Sequence, residues 1–288
     1  MKKFFNLCVL FLFLFMGINC CSANSVWTQQ SNVARVNTIG QALLAKNNLP
    51  TQVTFQVIET DEINAFASGN NQICVFTGLL KFVNDDNELA GVIAHEIGHI
   101  VNNHVAKQSI ISAITASAIT NANVDPRLQA GAAIAQNLSM KKMSRTEEYE
   151  ADITGVDLMV RAGYNPLAMV SLLYKIGGNY VDFIQDHPSG DKRTMYLYNY
   201  ITYTYPEALK YGYNTNSYKQ FLAYAEPIVA ARNANPSKLK AFKKEQEELK
   251  KKRTAKLKKY KNSYNGLGWN ASLGLLQVLS AIQASQQQ

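Results

Sequence analysis

The spacing of apolar positions divides the chain into a few strong segments. Over residues 28–48, Val33, Val36, Ile39, Leu43 and Leu44 recur at helical spacing, and Pro50 follows the predicted end. From Val53 to Ile58 the period drops to two, with Val53, Phe55 and Val57 on one side, which predicts a strand. Turn-rich Asn64–Ala67 and Gly69–Asn71 lead to a second β-rich run, Ile73–Phe76, after which Gly78 is expected to turn the chain. Asp85 or Asp86 can cap a long helix that carries Leu89, Val92, Ile93 and Ile97 and runs to about Lys107. Ser144 opens another helix, with Glu147 three residues on as a capping box and Gly163 and Pro166 as stops. Residues 237–261 read as a lysine-rich helix or coil. No repeat of 20–50 residues is visible, which argues against a solenoid.

Composition sharpens this outline in three places. At 47% hydrophobic and 17% charged over 288 residues, the chain has enough apolar side chains for a core and is neither disordered nor collagen-like. The net charge of +8 is concentrated in 237–261, which holds twelve Lys/Arg against three Glu, so the basic balance describes the tail and not the body. The uncharged stretch 108–124 is too short and too rich in Ser and Thr for a membrane span; it reads as a covering helix or loop. Residues 262–288 are also uncharged, with Leu276, Leu279 and Ile282 on one face of a short terminal helix.

The first residues read as a leader. Lys2 and Lys3 precede ten apolar residues, Leu7–Met16, and Cys21-Ser22-Ala23 places small residues for a cut after Ala23. Lipidation at Cys20 or Cys21 is the weaker reading, because Gly17-Ile18-Asn19 is a poor lipobox. The expected division is a signal peptide at 1–23, a body at 24–230 and a lysine-rich tail at 231–288. The protein is then exported, periplasmic or membrane-associated in the cell envelope. Beyond the leader only Cys74 remains, so no internal disulfide forms; within its β-rich run it reads as a buried strand residue and not a nucleophile. Tyrosines crowd 164–224 and read as packing residues with a hydroxyl at the surface.

The chemistry centres on His95-Glu96-Ile97-Gly98-His99. Residues four apart share a helical face, so His95 and His99 can offer imidazole nitrogens to one Zn²⁺. Glu96 falls beside the metal's open position, where it can take a proton from water. Catalytic zinc needs a third protein ligand, and three glutamates compete for the role. Glu147 is committed to the capping box. Glu150 shares a face with Thr154, Asp157 and Arg161 that reads as solvent-facing. Glu148 shares its face with Asp152, Gly155 and Met159, which look inward; a metal would offset the cost of burying its carboxylate, so Glu148 is the chosen ligand. Asp152, one turn on, can accept the N–H of a ligating imidazole. His104 lies five residues past His99, off the ligand face, and reads as structural or exposed.

HEIGH followed by SRTEEYEAD resembles the exported branch of the HtpX-like and BepA-like metallopeptidases, gluzincins whose family also holds the CAAX prenyl proteases. Asn64–Ala67, Thr77–Leu80 and Arg161–Pro166 resemble it too, and the similarity covers roughly residues 30–205. The resemblance implies the same ligands, one zinc per chain, and endoproteolysis, often of damaged or misassembled envelope proteins. It implies an α+β fold: a mainly helical catalytic domain with a small antiparallel sheet, followed by a helical tail. Asp186-His187-Pro188-Ser189, followed by Arg193, resembles a His-Pro segment near the active site, which makes His187 a candidate to stabilise the oxyanion or to occupy the fourth zinc position. The tail has no counterpart in the resemblance.

A substrate peptide is expected to lie extended beside Ile73–Phe76 and add to that strand's edge. Polypeptides are the expected partners, with peripheral contact to an anionic membrane surface through the lysine run. Export and the absence of a nucleic-acid motif exclude nucleic acid. The rival class, a zinc-bearing chaperone or binding protein without turnover, is disfavoured by Glu96, since structural zinc sites need no base.

Overall fold

The computed structural model describes residues 29–49, 52–68, 71–105, 143–179 and 190–265. The leader, the 108–124 stretch, His187 and the terminal run past 265 lie outside them. The fold is α+β and mainly helical. A helix over 29–46 (α1) precedes strands β1 (Thr54–Ile58), β2 (Ala65–Ala67) and β3 (Gln72–Phe76). Helices α2 (Thr77–Phe82) and α3 (Asp86–Val101) follow, then α4 (Arg145–Ala162), α5 (Leu167–Asn179) and α6 (Asp191–Thr204). A short 3₁₀ turn, Pro206–Lys210, leads to α7 (Asn216–Asn233) and α8 (Pro236–Asn265).

The sheet is mixed and not antiparallel. β2 and β3 pair antiparallel; beside the ladder Ser68 N donates to Gln72 O, and Asn71 adopts a positive φ of 57°. β1 lies on the other side of β3 and runs parallel to it, in the order β1-β3-β2. The physical cause is legible in β3 itself. Ile73, Cys74, Val75 and Phe76 are all buried, the unbroken apolar run of a central strand covered on both faces. Gly78 does not turn the chain: it lies in α2, packed under the backbone of Asp61 and Glu62.

Helix α3 is the axis of the molecule. Every residue from Glu88 to Val101 is buried, and the helix packs against α4, α5, β2 and β3. Asp85 is its N-cap, accepting from the amides of Asn87 and Glu88. The helix ends at Val101, six residues before Lys107, because Asn103 takes a left-handed φ of 58° and turns the chain back. Ser144 and Glu147 form the expected capping box on α4, and Gly163 closes it with a left-handed φ of 85°.

Two glycines set how closely α3 and α4 cross. A Cβ on Gly98 would sit 2.5 Å from the carbonyl oxygen of Ala151, and one on Gly155 would sit 3.1 Å from the amide nitrogen of His95. Without those side chains the two backbones approach until residues of one helix face residues of the other directly.

Helix α8 turns an inward stripe toward the body: Gln246, Arg253, Leu257 and Tyr260 are buried and Leu249 partly so. The helix packs on α6 and α7, and most of its lysines point outward. No helix among the described residues is long and apolar enough to cross a membrane.

Candidate metal centre

The α3–α4 crossing brings His95, His99 and Glu148 together, all buried, with one donor atom of each within 4.8 Å of the others. His95 Nε2 and His99 Nε2 are 3.0 Å apart. Glu148 Oε2 is 3.5 Å from His95 Nε2, and Oε1 is 3.4 Å from His99 Nε2. Ligands 2.0–2.1 Å from a tetrahedral metal stand about 3.3 Å from one another, so these separations fit a single small cation. The chemistry of the donor set fits as well. Two imidazole nitrogens and a carboxylate oxygen converge on one point, a donor set suited to a divalent cation such as zinc.

Behind the donors lies a second set of contacts. His95 Nδ1 is 2.8 Å from Asp152 Oδ1, so its N–H faces that carboxylate and the Nε2 lone pair is left for the metal side. Arg193, from α6, joins both carboxylates of α4. Its Nε and Nη2 donate to Asp152 at 2.6 and 2.7 Å, and its Nη1 approaches Glu148 Oε2 at 2.7 Å. Burial alone would raise the Asp152 carboxyl; the Arg193 charge and hydrogen bonds, with His95, hold it below the usual carboxylate range. Burial likewise opposes the Arg193 charge, but Asp152 and Glu148 outweigh it and keep the guanidinium protonated. Only the resemblance pointed toward Arg193; its part in the cluster depends on α6 reaching α4.

Glu96 is buried beside this cluster, one residue from His95. Its charge reaches Cys74 on β3, whose thiol is pushed up by burial first and by Glu96 second, so Cys74 is a poor nucleophile at neutral pH.

Four expectations change here. The face of α4 bearing Glu150, Thr154 and Asp157 is not a solvent face. Thr154 and Asp157 are buried, because α8 covers the first and the tyrosine-rich α6 region the second. Tyr200 and Tyr205 both donate to Asp157 Oδ1, at 2.7 and 2.8 Å, instead of keeping their hydroxyls in water. Burial raises the Asp157 carboxyl despite those two bonds.

His104 is buried and not exposed, and it touches the cluster. The turn at Asn102–Asn103 carries it back over α3, and its Nδ1 lies 3.0 Å from His99 Nδ1. Finally, β3 cannot offer an edge to a peptide, since β1 and β2 flank it. The unpaired edge nearest the site, among the described residues, is the outer side of β2, which packs on α3.

A buried His-His-Glu cluster on two crossing helices, with a glutamate beside the first histidine, is the arrangement of a metal-dependent peptidase. Residues 30–201 match the model of peptidase family M48, and the chain belongs to that family. Metalloprotease YcaL of Escherichia coli is 31% identical over 188 residues, covering 61% of this chain and 73% of the relative. The mitochondrial metalloendopeptidase OMA1 of Arabidopsis thaliana is 34% identical over 154 residues, 50% of this chain and 31% of its own. The beta-barrel assembly-enhancing protease of Yersinia pestis is 28% identical over 177 residues, 55% of this chain. The chain spans only 36% of that relative's length.

Proposed function

We propose that the chain is a zinc endopeptidase that clears misfolded or misassembled proteins of the cell envelope, with His95, His99 and Glu148 as ligands and Glu96 as base. The convergence of two Nε2 atoms and a buried carboxylate within 3.0–3.5 Å is the observation that carries this reading. Bound there, Zn²⁺ supplies a Lewis acid that polarises the scissile carbonyl and makes water nucleophilic near neutral pH. Glu96 takes a proton from the attacking water and passes it to the leaving amine. Asp152 orients His95, and Arg193 holds the Asp152 and Glu148 carboxylates in place. The substrate lies extended along the outer edge of β2, bound mainly through its backbone, which suits loosely specified, unfolded targets. His187 is assigned to the oxyanion on its sequence segment alone.

Export through the 1–23 leader and an envelope location belong to the same proposal, supported by the leader's pattern and by the beta-barrel assembly relative. So does contact of the α8 lysines with anionic lipid, supported by their outward placement. Failure to sediment with phosphatidylglycerol vesicles at low salt would remove that contact.

Metal analysis combined with casein digestion tests the core. Glu96→Gln should keep zinc and lose cleavage by orders of magnitude; Glu148→Ala should lose both; His187→Ala should keep zinc and lose about 10²–10³-fold in kcat. Full zinc content and activity in Glu148→Ala would sink the ligand assignment. Faster cleavage by His187→Ala would make that imidazole a block and not a stabiliser.

A further inference from the structure

The two histidines are supported differently. His95 meets a carboxylate directly, through Asp152. His99 instead meets a third imidazole: its Nδ1 is 3.0 Å from His104 Nδ1, and His104 Nε2 is 3.2 Å from Glu150 Oε2. Glu150 Oε1 pairs with Lys256 Nζ of α8. If His99 Nε2 offers its lone pair to a metal, its proton sits on Nδ1 and is donated to His104 Nδ1. His104 must then carry its own proton on Nε2 and donate it to Glu150. Each bond thus sets the tautomer of the next ring.

The tail is anchored where it can hold that line. Arg253, one turn before Lys256, is buried, donating to Asn102 Oδ1 at 3.1 Å and to Thr154 Oγ1. Asn102 in turn donates to Gly98 O and Thr154 Oγ1, and Thr154 donates to the carbonyl of Glu150. Arg253 of α8 therefore bonds both to the C-cap of α3 and to α4. Helix α8 lies beyond residues 30–201, the region that matches the family model.

We propose that His104, Glu150 and Lys256 are positioning residues for His99, and that the lysine-rich helix α8 is thereby a working part of the metal centre. The inference rests on the reading of His95, His99 and Glu148 as ligands. A partner fixed on the far ring nitrogen orients a ligating imidazole and raises its basicity, and losing such a partner costs about 10–100-fold in metal affinity. Lys256 is 43% exposed and reaches His99 only through three successive contacts, so its share is smaller.

The experiment uses the full chain, stripped of metal. Zinc affinity is read by chelator competition and ligand geometry by the visible spectrum of the Co²⁺ form, with thermal melts to confirm folding. His104→Ala should weaken zinc by about 10–100-fold and shift the Co²⁺ bands. Glu150→Gln and Lys256→Met should weaken it in the same direction by a smaller factor, and Lys256→Arg should restore it. His104→Ala combined with Lys256→Met should be no weaker than His104→Ala alone, because Lys256 acts only through His104. Lys258→Met, on the exposed face of α8, should leave both readouts unchanged. Folded Glu150→Gln and Lys256→Met variants with wild-type zinc affinity and Co²⁺ spectrum would overturn the proposal, even if His104→Ala fails to fold. Wild type that takes up neither Zn²⁺ nor Co²⁺ would overturn the ligand reading itself, and this inference with it.

Discussion

Gly98→Ala is a one-carbon test of how the site is assembled. In an isolated helix the change should stabilise by about 1 kcal/mol, since glycine is the poorer helix former. Here the new Cβ would sit 2.5 Å from Ala151 O and 3.0 Å from Ala151 Cα, against an ordinary contact of 3.4 Å or more. The obstacle is backbone, which cannot swing aside as a side chain would. Helices α3 and α4 must part locally by roughly 0.9 Å to restore 3.4 Å at that oxygen. Overpacking of this kind costs about 1–3 kcal/mol, which outweighs the propensity gain. Glu148 lies one turn before Ala151 on α4, so the separation carries it away from His95 and His99. The expected result is a melting temperature lower by a few degrees and zinc affinity lower by about tenfold. Gly91→Ala is the control. It lies in the same helix, but its Cβ would come no closer than 3.4 Å to Met169, so it should be neutral or stabilising by about 0.5–1 kcal/mol. Thermal melts of the metal-free and zinc-loaded forms, with chelator competition, measure both terms. Wild-type stability and zinc affinity in Gly98→Ala, or equal damage from Gly91→Ala, would refute the close-crossing argument.

Two further predictions follow from buried charges. Arg193→Met leaves Asp152 and Glu148 without their shared cation and should destabilise the metal-free protein by about 3–5 kcal/mol. Because a metal offsets part of that charge, zinc should recover more stability in Arg193→Met than in wild type; equal recovery would mean the pair is not electrostatically linked to the site. Asp157 has its carboxyl raised above the ordinary 3.8, so its neutral form is the one the fold favours. Its contribution is fully present below 3.8 and is lost as pH rises through the raised value. Urea unfolding of metal-free wild type against Asp157→Asn should show wild type losing relative stability as pH rises across that window, and a relative gain would show the sign to be wrong.

The local features were legible because their causes are local. The capping box of Ser144 and Glu147, the stop at Gly163 and the pairing of His95 with His99 on one helical face depend on residues within a turn or two of each other. The burial of Glu148 was legible from helical phase, and the occupation of Glu147 from the capping box. What phase could not supply was the environment of the other face. Glu150, Thr154 and Asp157 read as solvent-facing because nothing in α4 announces that α8 and the α6 tyrosines will cover them. The inward stripe of α8, with Arg253 among its members, was hidden under a lysine run whose charge dominates any reading of composition.

Strand order was likewise a tertiary outcome: β1 could join β3 only by crossing to its far side, which made the sheet mixed and moved the open edge to β2. His104 shows the boundary most clearly. Helical phase carried past Val101 puts it off the ligand face, whereas a left-handed Asn103 brings it back onto His99. Residue spacing along α3 determined that His95 and His99 share a face. Where backbones bend and which distant helix packs behind them decided how those side chains are held, because burial, hydrogen bonding and charge pairing are settled by contacts far apart in the chain.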